Sequence, residues 1–117
     1  MEMSDSDTRQ NSAIVPAKVY FLEQMVDYAD GAVVSRTISK NKAGTVTLFS
    51  FDTGQELSEH SAPFDALVHV LDGEAELMIG GEKVVAGTGE LVIMPANVPH
   101  GVKAVQRFKM LLTMIRG

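Results

Sequence analysis

The sequence predicts an all-β fold, a sandwich or barrel of short antiparallel strands preceded by one helical turn. Three observations carry this. Extended apolar runs recur at short intervals between residues 32 and 115, Gly, Asn and Asp punctuate them, and almost no stretch has helical periodicity. A length of 117 residues encloses one apolar core and leaves no room for a second catalytic module.

Taken in order, residues 1–12 are rich in Ser, Asp, Thr, Gln and Asn without apolar periodicity. Ordering them costs entropy for little burial, so they are expected as a flexible N-terminal tail ahead of a single domain over residues 13–117. Residues 18–21 extend as an edge strand. Leu22, Met25 and Val26 lie at i, i+3 and i+4, enough for one helical turn before Asp30-Gly31 breaks it. Runs at 32–39 and 45–51 flank Asn41-Lys42-Ala43-Gly44, runs at 67–71 and 74–79 flank Asp72-Gly73, and the run at 83–86 follows Gly80-Gly81. Asp-Gly and Gly-Gly favour the φ > 0 turns of antiparallel pairs, so the last three runs read as consecutive hairpins. Runs at 90–94 and 108–115 complete the set. Leu91-Val92-Ile93-Met94 is apolar on both faces and needs cover outside as well as inside, which predicts a homodimer.

Composition narrows the function classes. Apolar residues make up 45% of the chain and charged residues 21%, as in ordinary globular proteins. A net charge of −5, with Lys and Arg scattered, opposes a phosphate backbone, so nucleic acid is not an expected partner. The absence of cysteine excludes disulfides, thiolate metal sites and a cysteine nucleophile, and fits a cytoplasmic location. The longest apolar runs fall far short of the ~20 residues of a spanning helix, and the start Met1-Glu2-Met3-Ser4-Asp5 has neither the positive flank nor the apolar stretch of an export signal. No membrane association is expected. Gly80-Gly81 and Gly87-Thr88-Gly89 lead into strands without the helix and Lys-Ser/Thr of a phosphate loop, and the serines lack a nucleophile-elbow context.

Two spacings stand out. Gly54, five residues, His60, one residue, Ala62, three residues, Ala66, six residues, Gly73 forms the first. Gly89, five residues, Pro95, one residue, Asn97, two residues, His100, three residues, Ala104 forms the second. Together they resemble the two motifs of the small single-domain bacterial cupins, with Ala62 and Ala66 where a His and a Glu are usual, Asn97 where a Gly is usual, and Ala104 where an Asn is usual. The resemblance spans roughly residues 45–115, and the short segment between the motifs matches it too. It implies a jelly-roll β-barrel, the double-stranded β-helix of RmlC-like proteins, with both motifs facing its interior.

In metal-binding cupins the first motif gives two His and a Glu, the second one His. Carried over position by position, this chain supplies His60 and His100 as metal ligands and nothing more, whereas structural zinc wants four protein ligands and catalytic metals usually three. Asp65 points away from the face of Ala66 in an extended strand, and His69, by its period of two, lies opposite Ala66, Val68 and Val70. The expectation is therefore a small-molecule binder whose ligand sits among His60, Ala62, Phe64, Ala66, Met94, His100 and Phe108, in volume that the two alanines leave open. Met78, Met110 and Met114 add adaptable wall. The alternative is a metal-dependent enzyme of dioxygenase or isomerase type, using His60, His100, an atypical third ligand and Fe, Mn, Ni or Zn.

Overall fold

The computed structural model describes residues 14–116; the expected tail over residues 1–12 lies outside them. A 3₁₀ turn at Leu22–Met25 precedes eight strands: β1 Val33–Asn41, β2 Gly44–Phe51, β3 Glu56–His60, β4 Asp65–Ile79, β5 Glu82–Gly87, β6 Leu91–Met94, β7 His100–Lys103 and β8 Phe108–Ile115. Every pairing is antiparallel, in the order β1-β2-β8-β4-β7-β3, with β5 and β6 also on β4. The spine is β4. Its first half pairs with β6 and β8 in one sheet, its second half with β5 and β7 in the other, and the two sheets curl into a jelly-roll barrel.

The Asp72-Gly73 hairpin is not formed, and the reason lies in the flanking apolar residues. Ala66, Val68 and Val70 are buried before it and Ala75 and Leu77 after it. Val70 and Ala75 are an odd number of positions apart, so a regular strand would turn one set outward. One residue out of register corrects the facing: the pairing with β8 shifts between Val70 and Asp72, and Gly73 takes φ 80°. This bulge lets a single strand of 15 residues pass between sheets without reversing. Beneath it, Phe51 and Phe108 stack at 4.5 Å and 9°, both fully buried, at the centre of the core.

The predicted edge strand at 18–21 is absent as well. Val19 is 95% exposed, residues 18–21 pair with no strand among the described residues, and Ala17 has φ 64°. The helical turn does form, and Met25 and Val26 pack on the outer face of the first sheet with Leu48, Leu71 and Leu111. Side chains of that face hold backbone carbonyls of the incoming segment: Lys109 Nζ donates to Glu23 O at 2.6 Å, Arg36 Nη1 to Met25 O at 3.1 Å and Ser50 Oγ to Asp27 O at 2.7 Å. Tyr28 donates to Asp72 at 2.6 Å and lies between the cations of Arg107 and Lys109, 5.3 and 5.0 Å from its ring centre. Burial, with the Asp72 carboxylate beside it, pushes the Tyr28 phenol well above its ordinary range. The segment thereby closes one outer face with satisfied carbonyls. No helix among the described residues is long and apolar enough to cross a membrane.

Candidate ligand site at the barrel mouth

Two strands that sequence reading did not find, β3 and β7, build the site. They pair with His60 opposite His100, and His100 in turn is opposite Ile79 of β4. A register shift between Leu57 and His60 turns the second imidazole to the same side, and the ring centres stand 4.6 Å apart at 71°. The loop from β6 to β7 is pinned above them. Asn97 takes φ 64° in the position where its family resemblance expects Gly, and its N–H donates to Ala62 O at 2.7 Å.

Both rings have a fixed tautomer. His60 Nδ1 lies 2.8 Å from Ser58 O, and His100 Nδ1 3.0 Å from Val98 O. A carbonyl only accepts, so in the neutral rings each Nδ1 carries the proton and each Nε2 keeps a lone pair. The environments differ: His60 is exposed, whereas His100 is 2% exposed. Burial lowers the His100 pKa from its ordinary 6.5, the nearby His60 lowers it further, and the Val98 carbonyl opposes both. A histidine whose folded pKa is depressed binds fewer protons folded than unfolded, so stability is full above pH 6.5 and falls as pH drops through the lower folded value. Urea unfolding at pH 7.5 and 5.5 should show this loss, and His100→Gln should flatten the dependence in that window.

The remaining expected residues divide. Ala66, Met94 and Met114 form one cross-strand row, with Ala66 and Met94 only 2% and 3% exposed. Methionine side chains therefore stand on both sides of Ala66, the alanine at the position where the family resemblance expects a Glu. Ala62 and Phe64 are half-buried at the rim, and the Arg116 guanidinium lies over the Phe64 ring at 5.5 Å. Phe108 does not belong to the mouth. It is fully buried against Phe51 with no ring surface left to touch a ligand. Arg116, exposed one residue past the end of β8, was missed, although it continues the every-second-residue series Met110, Leu112, Met114.

A complete metal centre does not fit these residues. Among the described residues no three His, Cys, Asp or Glu come together. Asp65 is occupied elsewhere, its Oδ1 accepting the Ala96 N–H at 2.9 Å. His69 is on the outer face, in register with Leu91 and Leu111, where it helps line a depression of about 310 Å³. A larger groove of about 530 Å³ runs along β3, β7 and β4 among Glu56, Glu59, Glu76, Met78 and Lys103, and neither His60 nor His100 lines it.

A jelly-roll barrel with both motif histidines facing each other inside its rim defines the cupin class of fold. The profile of the cupin domain matches residues 47–115, and the chain belongs to this family. It is similar to a conserved protein of unknown function from Streptococcus pyogenes, 39% identical over 91% of this chain and 93% of that one, with a TM-score of 0.85. A cupin 2 conserved barrel domain protein from Leptotrichia buccalis is 38% identical over 83% of this chain and 47% of its own length, with a TM-score of 0.81. A cupin superfamily protein from Desulfitobacterium hafniense shares the fold at 24% identity, covering 91% of this chain and 97% of that one with a TM-score of 0.83. No curated protein matches the chain.

Proposed function

We propose that this cupin binds a small molecule at the barrel mouth, between His60 and His100, as a cytoplasmic protein without a complete metal centre. The observation that carries the reading is the pair of imidazoles whose ring centres stand 4.6 Å apart, each with Nδ1 bonded to a carbonyl and Nε2 free of that bond, one ring in solvent and one desolvated. A ligand hydroxyl, amine or protonated acid finds two acceptors there, and a ring of lowered pKa stays a neutral base near pH 7. The test is a thermal-shift panel of small acids, sugars and aromatics against the parent protein, His60→Ala and His100→Ala. A binding compound at ~100 times its Kd should raise Tm by roughly 10 °C in the parent and by far less in both variants. A panel without any stabilising compound, or stabilisation indifferent to both histidines, removes the proposal.

One observation favours the metal-dependent alternative. Nδ1 bonded to a carbonyl with Nε2 free is also the arrangement in which histidine ligates metals. Elemental analysis after metal-replete expression separates the two readings: stoichiometric Fe, Mn, Ni or Zn that His100→Ala loses supports the alternative, and metal-free protein supports the binder. The proposal includes a homodimer, since Leu91 and Ile93 are 57% and 53% exposed on the outer face of β6. Sedimentation velocity that finds only monomer at every concentration would remove that part alone.

A further inference from the structure

The mouth holds two polar groups that the histidine pair does not explain. Thr45 Oγ1 is buried and has no hydrogen-bond partner among the described residues. Buried hydroxyls are almost always satisfied, so an orphan marks a place that some other molecule completes. Register puts it in the site: Thr45 is opposite Met114, Met114 opposite Ala66, and Ala66 opposite Met94, one row across β2, β8, β4 and β6. Directly opposed residues share a face, and Ala66 and Met94 belong to the interior.

The second group is Arg116. Its N–H donates to Ala43 O at 2.7 Å, which continues the pairing of β8 with β2 two residues past Met114 and leaves the side chain exposed. Its guanidinium rests on the Phe64 ring, and among the described residues no carboxylate pairs with it. An exposed Arg with a ring behind it and no counter-ion is preorganised for a planar anion. The two positions are diagonal neighbours on adjacent strands, about 7–8 Å apart at the backbone. Beside them the wall is apolar, formed by Met114, Ala66 and Met94, and methionine is an adaptable side chain.

We propose that the ligand is a small aliphatic hydroxy acid, with its carboxylate on Arg116, its hydroxyl on Thr45 Oγ1 and its chain against the methionine wall. This rests on the small-molecule reading of the mouth and names the chemical class that reading left open.

The test is a matched set of probes, 3-hydroxybutyrate, butyrate and 3-hydroxybutyramide, titrated into the full chain and followed by protein-observed NMR. A neutral set of sugars and alcohols is run alongside. The expected result is that 3-hydroxybutyrate binds at least tenfold more tightly than its amide and severalfold more tightly than butyrate. Arg116→Gln should erase the preference over the amide, with partial recovery in Arg116→Lys. Thr45→Val should erase the preference over butyrate and, by removing an orphan hydroxyl, raise the Tm of the free protein. Neutral compounds that bind at His60 and His100 with no advantage for the acid would overturn this assignment and leave the small-molecule reading standing. No binding by any probe in either set would overturn both. Binding of the acid that ignores Arg116→Gln would also overturn the assignment.

Discussion

Phe108→Ala is expected to lower the free energy of unfolding by about 3–5 kcal/mol, the range for deleting a buried aromatic side chain. The ring is fully buried, stacks on Phe51 at 4.5 Å, and has Met110 and Leu112 following it inward along β8. Close-packed neighbours cannot collapse into the space, so the cost includes lost contact as well as lost transfer energy. The measurement is urea unfolding, with ligand binding at the mouth followed in the same variant. Placement in the core predicts a large stability loss and, in the fraction still folded, binding within severalfold of the parent. A stable Phe108→Ala protein that no longer binds ligand would return this ring to the mouth and contradict the packing.

The second large effect is at the bulge. Gly73→Ala is expected to cost more than about 4 kcal/mol, a size reached only when a named structural device breaks. At φ 80° an L side chain is strained, and here a Cβ would also run into the Arg107 carbonyl oxygen and sit 3.0 Å from Phe108 Cα. Both obstacles are backbone, which cannot rotate out of the way. Gly81→Ala supplies the control, because Gly81 has φ 85° and nothing within 4 Å of the added carbon. It should show conformational strain alone, on the order of 1–2 kcal/mol. Equal midpoints in urea for the two variants would mean that the close approach of Gly73 to β8 is not what fixes the corner of the barrel.

That corner shows how far the fold was legible in sequence. Gly54, Gly73, Gly89, Pro95 and both histidines kept the spacing of the cupin motifs, so the barrel and the convergence of His60 with His100 could be expected before any coordinates. The local reading of Asp72-Gly73 failed because the same dipeptide serves a hairpin and a bulge. The parity of the buried residues around it decides between them, and that parity is set by pairing with β8, far along the chain. Strands β3 and β7 escaped notice for a different reason. Glu56, Ser58 and Glu59 leave β3 with one apolar residue, Leu57, and β7 is four residues long with a glycine inside. Their pairing with each other and with β4 holds them in place, not their intrinsic preference.

The site was legible in part for similar reasons. Motif spacing located its histidines, but that Met94 and Met114 flank Ala66 depends on pairing among three strands. Phe108 was misplaced because residue type alone does not say how deep along a strand an aromatic ring lies. The salt bridge of Arg107 to Asp52 at 2.7 Å and to Asp30 at 3.0 Å was equally invisible, since it joins a loop before β8 to segments more than fifty residues away. Its effect reads on the carboxylate: the Gly31 N–H and the Arg107 guanidinium hold the Asp52 pKa at about 2.

The most direct test is a long-range ¹H–¹⁵N spectrum of the imidazoles in uniformly labelled protein at pH 7.5, with His60→Gln, His69→Gln and His100→Gln assigning the three rings. The expected result is an Nδ1–H tautomer for His60 and His100, a nuclear Overhauser contact between those two rings, and joint movement of both, with His69 unmoved, when a stabilising compound is added. Nε2–H tautomers, no contact between the rings, or a response confined to His69 would contradict it.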